Sequence, residues 1–149
     1  MPQVEFYILT GTASAARLKF ACGLIEQAYL AGSRVLVRAT DAQELDALDT
    51  LLWTFSERAF VPHDRVGESA VAPVQLATGP LPALTGYDAL LELALDGNLA
   101  TAPPPRIVEI VDADETRRRQ GRERFRAYRE RGWAPVTHNI DNGTDAANG

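Results

Sequence analysis

Short runs of β-branched and aromatic residues alternate along this chain with longer segments whose apolar residues recur every three to four positions. No other feature restricts the fold as strongly. Val4-Glu5-Phe6-Tyr7-Ile8-Leu9 reads as a first strand that ends at Thr10-Gly11. A helix over Ala13 to Ala31 follows, because Leu18, Cys22, Ile25 and Tyr29 repeat at spacings of four, three and four and Gly32 supplies a stop. Ser33 to Ala39 forms the second strand. Thr40 and Gln43 have capping-box spacing, so the next helix starts at Asp41 with Leu45, Leu48, Leu52 and Phe55 as its apolar stripe. Ala59 to Asp64 reads as irregular. Val74–Ala77, Ala89–Leu95 and Ile107–Val111 are strands, and an arginine-rich helix occupies Ala113 to Arg131 before Gly132.

Strands alternating with helices imply βαβ units and a mainly parallel sheet covered on both faces. The expected fold is therefore α/β, a single three-layer domain over residues 1–140 with nucleotide-binding-like topology, followed by a disordered polar tail over 141–149. A length of 149 residues suits one such core. No apolar run is long enough to span a bilayer and the N-terminus has no signal-type pattern, so the expected setting is cytoplasmic. The single Cys22 falls on the apolar face of its helix and reads as a small buried hydrophobe.

An α/β sheet usually carries its ligand at the strand C-terminal ends, which directs attention to Leu9-Thr10-Gly11-Thr12-Ala13-Ser14. This turn lacks the glycines of a dinucleotide fingerprint and the second glycine and lysine of a P-loop. No Gly-x-Ser-x-Gly elbow is present, and His63, His138 and Cys22 have no metal-ligand spacing. His63 reads as solvent-facing or locally hydrogen-bonded. Asp41, Glu44, Asp46 and Asp49 read as the solvated face of a helix whose leucines point inward. The expectation is a protein without catalysis, cofactor or metal.

Two surfaces remain. Trp53 points roughly 120° away from the centre of the leucine stripe, so it either packs under the following loop or is offered to a partner together with Phe60-Val61-Pro62. The second surface is the arginine-rich helix. The whole chain has a formal charge of −5, yet eight arginines against five acids give Asp112–Arg131 a charge of +3 and leave −8 for the remainder. With Phe125 at 0°, Arg118, Arg129, Arg122 and Arg126 fall at roughly 20°, 40°, 60° and 100°, while Gly121 and Tyr128 lie on the other side, toward the sheet. An aromatic beside four guanidiniums suits a ligand with both an apolar side chain and carboxylates. It also suits single-stranded nucleic acid, bound through phosphates with bases stacked on Phe125. The plainest alternative is a solvated face with intrahelical pairs such as Glu123 with Arg126.

Several segments together resemble the chi subunit of bacterial DNA polymerase III. They are Phe6-Tyr7-x-Leu9, Arg34-Val35-Leu36-Val37, Leu48 to Trp53 leading into Phe60-Val61-Pro62-His63, Gly67-Glu68 followed by Ala72-Pro73-Val74, and Arg122-Glu123-Arg124-Phe125-Arg126-Ala127-Tyr128-Arg129. The resemblance runs in order from about Val4 to Thr137. It implies a non-enzymatic accessory of the clamp-loader assembly that touches DNA only indirectly. It further implies that Trp53 and Phe60 meet the psi subunit, a surface for which a repair helicase of the iron–sulfur type can compete. It also implies that Val111, Arg118, Arg122, Phe125 and Arg126 hold the acidic, Phe-terminated tail of single-stranded DNA-binding protein. The position of Phe125 is often Tyr in that family and that of Arg126 often Lys, so a hydroxyl contact is lost here while apolar area and charge stay.

Overall fold

A computed structural model describes residues 1–55, 60–68 and 71–141. Seven strands form one sheet in the order β3-β4-β2-β5-β6-β1-β7, and every adjacent pair is parallel. The strands are β1 (Gln3–Leu9), β2 (Val35–Arg38), β3 (His63–Arg65), β4 (Val74–Ala77), β5 (Ala89–Glu92), β6 (Arg106–Val111) and β7 (Val136–Ile140). Three helices cover them: α1 (Ser14–Leu30), α2 (Ala42–Thr54) and α3 (Glu115–Glu130). The expected α/β architecture with a parallel sheet is the one observed.

Alternation along the strands sorts the core into two layers. Leu9, Val35, Val37, Val108 and Ile110 face α1 and α2, where Leu18, Cys22, Ile25, Leu45, Leu48 and Leu52 close the larger cluster. Cys22 is buried there as its position in the stripe predicts, and burial pushes its thiol up to about 12. The opposite face carries Val4, Phe6, Ile107 and Val111 against Tyr128 of α3, and Leu36, Leu84 and Leu90 beneath loops.

The helix boundaries follow from local chemistry. α1 and α3 both end on glycines with positive φ, Gly32 at 83° and Gly132 at 79°. The next amides, of Ser33 and Trp133, donate back five residues to Ala28 and Tyr128, the Schellman pattern that only a left-handed residue permits. The α2 start lies one residue later than expected. Asp41 is the N-cap and accepts from the Glu44 amide, while the Glu44 carboxylate accepts from the amide and hydroxyl of Thr40. An aspartate outcompetes the neighbouring threonine here because its carboxylate is the stronger acceptor at a helix N-terminus.

Two strands escape the sequence reading. β3 lies in the stretch read as irregular, and β7 follows α3 where no element is expected. Both are edge strands, so neither carries the apolar run that marks a strand buried on both faces. The Ala89–Leu95 run is a strand for its first four residues only. Ala59 of the irregular segment and residues 142–149 of the polar tail lie outside the described residues.

Candidate functional site: a basic cleft between helix and edge strand

Toward the C-terminal ends of β2, β5 and β6, where α/β proteins commonly bind ligands, the chain buries its own charged side chains. On one face, buried Arg17 of α1 donates to the carbonyls of Ile110 at 3.2 Å and Leu93 at 2.5 Å and pairs with Glu44 at 3.1 Å. On the other face, β2, β5 and β6 present a row of charges in register, Arg38 beside Glu92 beside Glu109. Arg124 of α3 completes the row. It donates to Glu109 at 2.6 and 2.7 Å and to Glu92 at 2.7 Å, and the Tyr128 hydroxyl donates to Glu109 at 2.7 Å. Burial works against the Arg124 charge, but Glu109 and Glu92 more than offset it and hold the guanidinium firmly protonated.

The arginine-rich helix is thus not uniformly solvated. Arg124 faces inward with Gly121 and Tyr128, and Arg117 is clasped by buried Asp112 at 2.7 and 2.8 Å. The remaining face is open. Arg118, Arg122, Arg126 and Arg129 are all exposed and, among the described residues, form no ion pair, so the Glu123–Arg126 pair does not occur.

Beside this face lies a cleft of about 430 Å³ lined by Phe6, Ile8, Val111, Arg118, Gly121, Arg122, Phe125, Thr137 and Asn139. Register builds its floor: Val111, Ile8 and Asn139 are neighbours across β6, β1 and β7, and Phe6 sits beside Thr137 one step earlier. Phe125 closes one end with its ring edge-on to Phe6, the centroids 5.2 Å apart. A Cβ on Gly121 would lie 2.8 Å from Val111 Cγ2, so glycine is what lets α3 approach closely enough to bring its arginines over the floor. A second hollow of about 500 Å³ continues outward along Arg122, Phe125, Arg126, Arg129 and Glu130.

The structure therefore gathers Val111, Arg118, Arg122 and Phe125 around one cleft and places Arg126 in the adjoining hollow. Sequence reasoning misses Phe6, Ile8, Thr137 and Asn139. The alternation of β1 contains the first two, since every second residue faces α3, but Thr137 and Asn139 belong to a strand whose polar, exposed pattern carries little signal. Chemically, the cleft offers guanidinium forks above an apolar floor, a pairing suited to a ligand that is both anionic and aromatic.

Trp53 and Phe60 form a separate surface at the opposite end of the sheet. They are 59% and 53% exposed, yet their rings pack against each other in a tilted pair, centroids 4.8 Å apart. Trp53 thus rests against the segment after α2 and still faces solvent. Beneath them His63 is buried. Its Nδ1 contacts the Val61 carbonyl at 2.7 Å, its Nε2 contacts Asp49 at 2.8 Å, and its ring meets Trp53 edge-on at 5.1 Å. Of the two sequence readings of His63, local hydrogen bonding is the one observed. Asp49 also accepts from Arg65 at 3.0 and 3.2 Å, so this acid of α2 is a clasp on β3 rather than part of a solvated face. The same correction applies to Glu44, which is committed to Arg17.

The fold and these sites define a doubly covered parallel α/β domain that carries a basic cleft beside α3 and an exposed aromatic pair on its flanks. Among the described residues no group of histidine, cysteine and carboxylate side chains could hold a metal, and no helix is long and apolar enough to cross a membrane. Residues 1–136 match the family model described as DNA polymerase III chi subunit, HolC. The chain belongs to that family, which makes it a component of the replication machinery. It is 34% identical over 140 residues to the DNA polymerase III subunit chi of Pseudomonas aeruginosa, covering 94% of this chain and 98% of the relative. Identity to the proteins of the same name from Haemophilus influenzae and Escherichia coli is 30% and 29%, over 91% and 89% of this chain and 96% and 95% of theirs.

Proposed function

We propose that this chain is a non-catalytic cytoplasmic adaptor that links the polymerase III clamp-loader assembly, through psi, to the C-terminal tail of single-stranded DNA-binding protein. The observation that carries the reading is the cleft, where Arg118 and Arg122, without an ion pair among the described residues, stand over an apolar floor closed by Phe125. An acidic tail ending in phenylalanine has the complementary chemistry, its ring on Phe6, Ile8 and Val111 and its carboxylates on the guanidinium forks. Arg126 extends the positive field along the path by which the acidic residues would leave the cleft. The Trp53–Phe60 pair suits psi, or a competing repair helicase of the iron–sulfur type, because it presents two large exposed aromatics on one patch. The adaptor needs no cofactor and meets DNA through its partner.

Titration with a peptide copying the tail, at two salt concentrations, tests the proposal. Binding should be saturable and weaken with salt, because the contacting charges are exposed. Arg122→Ala should cost about 1–3 kcal/mol of binding. No binding at low salt would overturn the reading. Tight, salt-sensitive binding of a single-stranded oligonucleotide by the chain alone would instead make the arginine face a direct nucleic-acid contact.

A further inference from the structure

The cleft has two walls, and only the helical one carries charge. The other is edge strand β7, whose register sets Thr137 beside Phe6 and Asn139 beside Ile8 on the cleft face. The residue between them, His138, faces the opposite side, where it meets Glu5 at 3.2 Å and stacks on Tyr7 at 4.7 Å. Thr137 and Asn139 are both exposed, and among the described residues neither side chain makes a hydrogen bond. A hydroxyl and a carboxamide therefore stand free along the edge of an otherwise apolar floor.

We propose that this strand wall reads the main chain of the bound peptide, with Asn139 as the residue that makes the cleft selective for a polypeptide over a nucleic-acid strand. The inference rests on the peptide-binding reading above and deepens it. A carboxamide donates through Nδ2 and accepts through Oδ1, so it matches a peptide unit, which offers both a carbonyl and an N–H. A phosphodiester backbone offers acceptors alone and leaves Oδ1 unused. The spacing fits as well: side chains two apart on a strand lie roughly 6.5–7 Å from one another, which is also the repeat of an extended peptide. A peptide lying along β7 thus meets Thr137 and Asn139 at equivalent main-chain positions while its side chains reach across to Phe125 and the arginines. The division of labour is distinct. The arginine wall supplies attraction that salt screens, and the strand wall supplies short neutral hydrogen bonds that salt leaves largely intact.

The test titrates the full chain with a synthetic acidic peptide ending in phenylalanine and, separately, with a single-stranded oligonucleotide, each at low and high salt. Asn139→Ala should weaken peptide binding about three- to tenfold with the salt dependence unchanged. Asn139→Asp should weaken it further, since a carboxylate cannot donate and repels acidic residues. Arg122→Ala should both weaken binding and flatten its salt dependence. Thr137→Val, close to isosteric, provides a second variant, and thermal unfolding of each confirms an intact fold. Peptide binding that Arg122→Ala abolishes but that stays within twofold of wild type in Asn139→Ala and Thr137→Val would overturn this inference alone. Absence of peptide binding by the wild-type chain would overturn the peptide reading and this inference with it. An equal loss of oligonucleotide binding in Asn139→Ala would overturn the claimed selectivity.

Discussion

Arg38 and Glu92, in register on β2 and β5, meet in a two-pronged ion pair with contacts of 2.6 and 2.8 Å, their side chains 1% and 0% exposed. Arg38 also holds Asp96 at 2.9 Å, and Arg124 bridges Glu92 to Glu109. Two guanidiniums thus face the fully buried carboxylates of Glu92 and Glu109 and the half-exposed one of Asp96. Removing one partner from such a cluster strands an uncompensated charge, a change on the order of 3–5 kcal/mol.

The imbalance predicts a pH dependence. Burial and the neighbouring Glu109 push the Glu92 carboxyl up to about 7, against the pull of Arg38 and Arg124. The folded state therefore binds more protons than the unfolded chain between about pH 4.5 and 7. The stability contributed by this proton is fully present below that window and is lost as pH rises through it, by on the order of 1–3 kcal/mol. Glu92→Gln should flatten the decline in a series of denaturant unfolding curves from pH 4.5 to 8. An unchanged slope in that variant would place the titration elsewhere.

Gly121 sets the height of α3 above the sheet. Alanine at an ordinary helix position would gain up to about 1 kcal/mol, but here its Cβ meets Val111 Cγ2 at 2.8 Å. Gly121→Ala should therefore destabilise the fold by about 1–3 kcal/mol. Val111→Ala in the same chain should recover part of that loss, seen as favourable coupling in a double-mutant cycle. Additive losses, or a more stable Gly121→Ala protein, would show that the helix accommodates the methyl without moving.

Trp53 separates folding from partner binding. Because it remains 59% exposed, with its ring against those of Phe60 and His63, Trp53→Ala should lower stability by no more than about 1 kcal/mol. The same variant should lose most of its affinity for psi or the competing helicase in a binding titration. Retained affinity with an intact fold would move that interface away from the aromatic pair.

Elements whose pattern is local were legible in the sequence. The stripe Leu18, Cys22, Ile25 closes against the sheet as its spacing requires, Gly32 and Gly132 end their helices, and the parallel core strands announce themselves as apolar runs. The angular placement of Arg118, Arg122, Arg126 and Arg129 around Phe125 also survives, since helix geometry fixes it without reference to the rest of the chain. Val111 entered through the family resemblance, and register explains its place in the floor.

Tertiary structure alone decided which polar groups go inside and what faces the arginines. Arg17, Arg38 and Arg124 look like any other arginines in a string of residues. They are buried because carboxylates and carbonyls from strands far away in sequence converge on them, and a guanidinium tolerates burial only with such partners. Likewise, the polar edge strand β7 has no apolar run to declare it, and its register against β1 is what carries Thr137 and Asn139 to the cleft. Periodicity reports which face of an element turns inward. It holds no information about which distant element that face will meet.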